Sequence, residues 1–158
     1  MSGRIIRVDR IDRNILSLLQ EDGRISVTDL AAQVGLSLSS CHRRVKDLEQ
    51  SGAIESYRAV ISPEALGLSF EALVFVTMVR TDQETIAAFE RDVAANPHIV
   101  TAQRLFGEPD FTLRVLARDL AAYQDIYDNE LGALPGVQRL TSTLVMKRIG
   151  ADRTVPIL

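Results

Sequence analysis

Between Ser39 and Lys46 the chain reads SSCHRRVK, and residues 42–46 hold three lysine or arginine cations and no acid. Arginine carries a planar fork of donors that fits guanine in a bidentate fashion, the commonest specific pairing of a side chain with a base. Serine is short enough to approach a phosphate or a base edge closely, and histidine can donate to either. If Leu38, Cys41, Val45 and Leu48 form the buried stripe of a helix, the opposite face carries Ser39, Ser40, His42, Arg43 and Lys46. Arg43 is then placed for a base, while Arg44, Lys46 and, further along, Arg58 suit phosphates. A plain solvated face could carry such residues too, but the preceding helical segments expose acidic groups as well as neutral ones.

A second cluster with chemical capacity is Gly107-Glu108-Pro109-Asp110. A glycine exposes backbone N–H groups and a nearby carboxylate accepts hydrogen bonds. A free amino acid needs both, donors for its carboxylate and an acceptor for its ammonium. Turns favour Gly, Pro and Asp in any case, so this spacing by itself leaves ligand binding and a simple turn both open.

The elements that must position these residues follow from periodicity. Ile11, Ile15, Leu18 and Leu19 make one face of a helix over residues 9–20, with Asp9 and Asp12 in its first turn, where the helix dipole favours acids. Val27, Leu30, Ala31 and Val34 do the same for a second helix, which Ser26 can cap. Gly35 supplies a left-handed turn, and Ser37 can cap the third helix, joining the candidate DNA contacts at its start. Ile25/Leu30 and Leu36/Cys41 stand at stapling offsets. After Gly52, Ala53–Ile61 reads as a short β wing. Three helices and a wing make a winged helix-turn-helix, a motif that offers one helix to the DNA major groove.

Ser62-Pro63 and Gly67 mark a hinge, and the pattern changes beyond it. Phe70–Val79 reads as a strand apolar on both faces. Thr81–Asn96 reads as a helix, and Ile99–Phe106 and Phe111–Ala117 as strands joined by the Gly107–Asp110 loop. Asp119–Leu134 reads as a second helix with Leu120, Tyr123, Ile126 and Tyr127 inward, and Val137–Lys147 as the last strand. The order βαββαβ is ferredoxin-like, with both helices on one face of a four-stranded antiparallel sheet. The fold class is thus α+β, with domains at 1–62 and 63–158. The uncovered face of the first strand calls for a partner, and a second subunit is the natural one.

Composition sets the bounds. Of 158 residues 46% are apolar and 25% charged, ordinary for a globular protein, and the net charge of −3 argues against indiscriminate coating of nucleic acid. Residues 1–60 carry nine Lys/Arg against eight Asp/Glu, the remainder nine against thirteen, so the excess of positive charge lies at the N-terminal end. No membrane-length apolar run and no signal-peptide core in MSGRIIRVDR are present, which points to the cytoplasm. A single cysteine, Cys41, rules out an internal disulfide or a cysteine-based zinc cluster and falls on an apolar stripe. His98, after Asn96-Pro97, reads as a loop residue. No catalytic triad, HExxH, Walker loop or GxGxxG is found, so no enzyme, metal or cofactor is expected.

Several motifs together resemble one family. VDRIDRNILSLLQEDGRIS, DLAAQVGLS, HRRVKDLEQSGAI and SYRAV, then FGEPDFTLRV, LPGV and TSTLVMK, are similar to the leucine-responsive/asparagine regulator (Lrp/AsnC) family of bacterial and archaeal transcription factors. The resemblance spans nearly the whole chain. It implies dimers formed through the second domain, assembling into tetramers or octamers, with amino-acid effectors at interfaces between dimers. It assigns Gly107 and Asp110 to the family's effector-site GxxD, and Thr143, Leu144 and Val145 to the last-strand segment linked with effector response. Pro109 stands where many members carry a larger or aromatic residue.

The leading expectation is therefore a regulator that binds a near-palindromic double-stranded DNA site, its half-sites ~34 Å or a multiple apart. A small-molecule sensor acting through protein partners and a ligand-blind architectural DNA-binding protein are the alternatives.

Overall fold

The computed structural model describes residues 8–149 and 155–157; residues 1–7 of the N-terminal stretch considered above, and residues 150–154 and 158, lie outside the described residues. The chain divides into two compact units, Met1–Val60 with Gly150–Leu158, and Ile61–Ile149. The first unit's main segment runs to residue 60, two residues from the expected boundary at 62, and the end of the chain groups with the first unit. Val155 is tied there through its backbone, which exchanges two hydrogen bonds with the Gln20 side chain at 2.7 and 3.2 Å.

Three helices build the first unit: α1 (Arg10–Glu21), α2 (Val27–Val34) and α3 (Leu38–Gln50). Each start is capped by a side chain. Asp9 and Asp12 form a reciprocal capping box on α1, Ser26 Oγ accepts the Asp29 N–H, and Ser37 Oγ accepts the Ser40 N–H. Gly35, at φ 69°, ends α2 in the left-handed region and lets the cap of α3, Ser37, follow two residues later. Ile15, Leu30, Ala31, Cys41 and Leu48 form the buried centre, with Leu36 and Val45 packed at its edge.

Two expectations fail here. Leu38 is 54% exposed rather than buried, because Leu36 just before the cap takes the core position and leaves Leu38 on the open first turn. The wing forms no β ladder: residues 55–62 run without regular structure, because no neighbouring strand among the described residues takes up their hydrogen bonds.

The second unit is a four-stranded antiparallel sheet in the order β2-β3-β1-β4, with β1 (Phe70–Met78), β2 (Ile99–Arg104), β3 (Phe111–Ala117) and β4 (Val137–Leu144). Helices α4 (Gln83–Ala95) and α5 (Leu120–Ile126) supply Ile86, Phe89, Val93, Tyr123 and Ile126 to a core shared with Ala72, Val74, Val76 and Met78 of β1. The alternate residues Leu73 and Phe75 lie on the opposite, helix-free face and are half-buried.

Several element ends differ from expectation. The second helix is not continuous to Leu134: α5 ends at Ile126 and widens into a π turn over Tyr127–Leu131, with Gly132 N–H donating to Tyr127 O, which turns Leu131 fully inward. Leu120, expected inward, is 66% exposed at the first position after the Asp119 cap. β1 stops at Met78, where Val79 N–H turns to Gly136 O, and β4 stops at Leu144. β2 stops at Arg104 and leaves Phe106 fully exposed. Among the described residues no helix is long and apolar enough to cross a membrane.

Candidate DNA interface and ligand site

The caps and the core fix the rotation of α3. With Cys41 and Leu48 fully inward, Ser39, His42, Arg43 and Lys46 stand exposed on the far side and Ser40 at its flank. Ser37 Oγ is engaged in capping, accepting Ser40 N–H at 3.3 Å and donating to Ser40 Oγ at 2.9 Å, so it shapes the start of the helix. Arg58 is exposed on the extended segment beyond α3, and its neighbour Tyr57 donates to Glu49 Oε1 at 3.1 Å, tying that segment to the end of α3. Burial, then Glu49, holds the Tyr57 phenol above its ordinary range.

Arg44 faces a different neighbour. It was expected at a phosphate, yet its Nη1 donates to Asp9 Oδ2 at 2.8 Å and Asp12 Oδ1 at 2.7 Å. Its position one residue before the inward Val45 turns it to the α1 side of the helix. The acids Asp9 and Asp12, read from sequence as dipole partners only, are what it meets. Cys41 is buried and free, with its thiol pushed up by that burial, in line with a small core residue.

In the second unit, the Leu105–Asp110 loop is built around Asp110. Its N–H donates to Val76 O at 2.9 Å, its carbonyl accepts Leu105 N–H at 2.8 Å, and its Oδ2 accepts Met78 N–H at 2.7 Å. That N–H lies where the pairing of β1 with β4 shifts register, between Thr77 and Met78. Gly107 sits at φ 130°, with open space where a Cβ would be, so backbone conformation and not crowding calls for glycine.

The remaining candidates are elsewhere. Thr143 pairs with Leu73 and Leu144 with Ala72, at the opposite end of β1, and Val145 N–H donates to Glu71 O. The five-residue step from Leu73 to Met78 corresponds to ~17 Å of strand, so one chain does not bring Thr143–Val145 to Asp110. Beside the loop instead lies a hollow of about 290 Å³ lined by Phe75, Thr77, Glu108, Pro109, Arg139 and Thr141. The register Thr77↔Arg139 and Phe75↔Thr141 creates it. Period-two reading of the last strand could have marked Arg139 and Thr141 as outward neighbours of β1.

Both units match known families. Residues 8–55 match a winged helix-turn-helix DNA-binding domain, and residues 71–155 match the Lrp/AsnC ligand binding domain. The chain belongs to the Lrp/AsnC family of transcriptional regulators. It is 37% identical over 150 residues to the Bkd operon transcriptional regulator of Pseudomonas aeruginosa, covering 95% of this chain and 98% of that one. It is 36% identical to the leucine-responsive regulatory protein of Rhizobium meliloti, covering 91% and 92%. Its fold superposes with a TM-score of 0.88 on a transcriptional regulator from Neisseria meningitidis in complex with L-Met, at 33% identity and covering 94% and 96%. As an Lrp/AsnC protein, the chain is a transcriptional regulator and not an enzyme, with a helix-turn-helix DNA-binding domain and a ligand-binding domain.

Proposed function

We propose that this regulator reads a near-palindromic double-stranded DNA site through α3 helices paired in a homodimer. Ser39, Ser40, His42 and Arg43 contact base edges, and Lys46 and Arg58 contact phosphates, with Ser37 holding the start of the helix. The observation that carries the reading is the N-terminal part of α3, Leu38–Lys46, where Ser39, His42, Arg43 and Lys46 are all exposed and the first acid comes only at Asp47. In the domain division proposed, residues 1–62 read DNA and 63–158 bind the effector and assemble, in the cytoplasm. The half-buried Leu73 and Phe75 on the helix-free sheet face support association through that face.

The effector in this reading is an amino acid or a related small molecule, as the L-Met bound by the Neisseria meningitidis relative suggests. Gly107 and Asp110 from one copy would serve it with Thr143, Leu144 and Val145 from another, since ~17 Å separates the two groups along one chain. Tetramers or octamers would follow from such contacts.

Two experiments test the proposal. A gel-shift titration with genomic fragments should reveal fragments bound well below ~10⁻⁶ M at physiological salt; uniform binding at ~10⁻⁴–10⁻⁶ M would refute sequence-specific reading. Calorimetry with the twenty amino acids should give heat for at least one, and Asp110→Asn should lose it. A silent wild type would leave the regulator without an amino-acid effector.

A further inference from the structure

Arg44 lies on the recognition helix, yet faces away from its exposed side. At 100° per residue it projects ~140° around the helix from Ser39 and ~100° from Arg43, but only ~60° from the buried Cys41 and ~40° from the buried Leu48. Its side chain is 29% exposed and that of its partner Asp12 only 14%. With the other residues turned toward a groove, the Arg44 guanidinium is turned toward α1.

The contact it makes is closed. Asp9 Oδ1 accepts Asp12 N–H at 2.8 Å, and Asp12 Oδ2 accepts Asp9 N–H at 3.1 Å. The oxygens left over, Asp9 Oδ2 and Asp12 Oδ1, both accept from Arg44 Nη1. Every carboxylate oxygen of the pair thus has a partner, one on the α1 backbone and one on α3. The charge state agrees: Asp9 is held below the usual carboxylate range, first by the Asp12 N–H and then by Arg44.

The position of this clasp matters. α2 and α3 are joined directly by the Gly35 turn, so their relative pose is set by the chain itself. α1 and α3 have no such link; Asp9 and Arg44 are 35 residues apart in sequence. Apart from apolar packing, which is non-directional and tolerates sliding, this ion pair fixes how α3 sits on α1.

We infer that Arg44 is a positioning residue of DNA recognition, clasping α3 to the capping box of α1 so that Ser39, His42 and Arg43 enter the groove in register, and touching no DNA itself. The inference rests on the reading of α3 as the DNA-contacting helix. Arg44→Met removes the clasp while keeping the apolar stem. Asp12→Asn weakens it from the other side, far from any proposed contact. Lys46→Ala serves as the phosphate control.

The test uses the full chain and a duplex that the wild type selects from a random-sequence pool, with a scrambled duplex beside it, titrated across a salt series. Arg44→Met should lose about tenfold in affinity for the selected duplex, ~1.4 kcal/mol, while the slope of log K against log[salt] stays at the wild-type value. Lys46→Ala should flatten that slope by ~0.9. Arg44→Lys should recover most of the loss. Asp12→Asn should reproduce it, and the double variant Arg44→Met/Asp12→Asn should lose no more than the weaker single variant, because one interaction is removed twice.

A slope flattened by ~0.9 in Arg44→Met, with Asp12→Asn binding unchanged or tighter, would make Arg44 a phosphate contact and overturn the inference. If Arg44→Met does not fold by circular dichroism, Arg44→Lys and Asp12→Asn decide, and wild-type binding by both overturns it. A wild type that does not distinguish selected from scrambled duplex refutes the DNA reading itself. A wild type that does distinguish them, with Arg44→Met behaving like Lys46→Ala, refutes the positioning role alone.

Discussion

The two units use polar side chains in opposite ways. On α3 the groups proposed to do chemistry, Ser39, His42, Arg43 and Lys46, point outward and, apart from the 3.3 Å hydrogen bond of Ser39 Oγ to the Ser37 cap, bond to no other side chain among the described residues, while the inward side is closed by Cys41, Leu48 and the Arg44 clasp. In the sheet unit the Asp110 carboxylate of the candidate ligand loop is part of the fold, since Asp110 bonds β1 through both its backbone and its side chain. Recognition and stability are separable in the first case and merged in the second. A recognition helix can therefore change its specificity without losing its fold. The ligand loop can change only what its structural carboxylate leaves free.

The largest effect should come from the core behind that loop. Phe89 is fully buried and its ring lies 4.5 Å from that of Phe111, the residue after Asp110. Phe89→Ala should cost ~3–5 kcal/mol in urea unfolding of the sheet unit and abolish effector binding with it. Effector binding that survives such a loss would mean that the loop is independent of the core beneath it, and the contrast between the units would break.

Next comes the contrast itself. Asp110→Ala leaves the half-buried Met78 N–H without its acceptor and should destabilise the sheet unit by ~1–3 kcal/mol. Asp110→Asn keeps an acceptor oxygen and should cost less, which is why it is the cleaner probe of ligand binding. Arg43→Ala, in the other unit, should change unfolding by no more than ~0.5 kcal/mol, yet weaken specific DNA binding by ~1–3 kcal/mol. Equal stability losses for Asp110→Ala and Arg43→Ala would erase the distinction.

The same contrast explains what was legible from sequence. Helix starts carried by Ser26, Ser37 and Asp9 are local, because a cap and its N–H lie within three residues, and they stand where periodicity puts them. The order of strands and helices along the second unit, βαββαβ, was legible from the change of pattern beyond Gly67. What escaped was non-local. Arg44 reads as one more cation of HRRVK until α1 is folded beside it, and Asp110 reads as a turn residue until β1 supplies an unpaired N–H. Leu38 and Leu120 look inward by spacing, but each stands on a first turn where no neighbour covers it. The wing lacks its ladder because a strand is defined by its partner, and no period in Ala53–Ile61 can supply one.

The smallest effect separates the units by pH. Asp9 and Asp82 are both held below the usual carboxylate range, each first by a backbone N–H at its helix start. A depressed native value means the folded state prefers the charged carboxylate. The resulting stability is present above the unfolded value of ~4 and is lost as pH falls through the native one. Asp82 caps its own helix, helped by the Thr85 hydroxyl and only weakly by Arg80, whereas Asp9 also binds Arg44 across to α3. Asparagine caps a helix about as well as aspartate, so Asp82→Asn should preserve the fold of its unit at neutral pH and remove its share of acid sensitivity. Asp9→Asn keeps the cap but gives up the charge that faces Arg44. Its melting temperature should therefore already be lower at pH 7 and fall less than that of the wild type on acidification. Thermal melts from pH 7 to ~3 distinguish the two. Identical behaviour of Asp9→Asn and Asp82→Asn would show that the Asp9 arm of the link to α3 adds nothing to the cap, leaving the Arg44–Asp12 contact as its polar part.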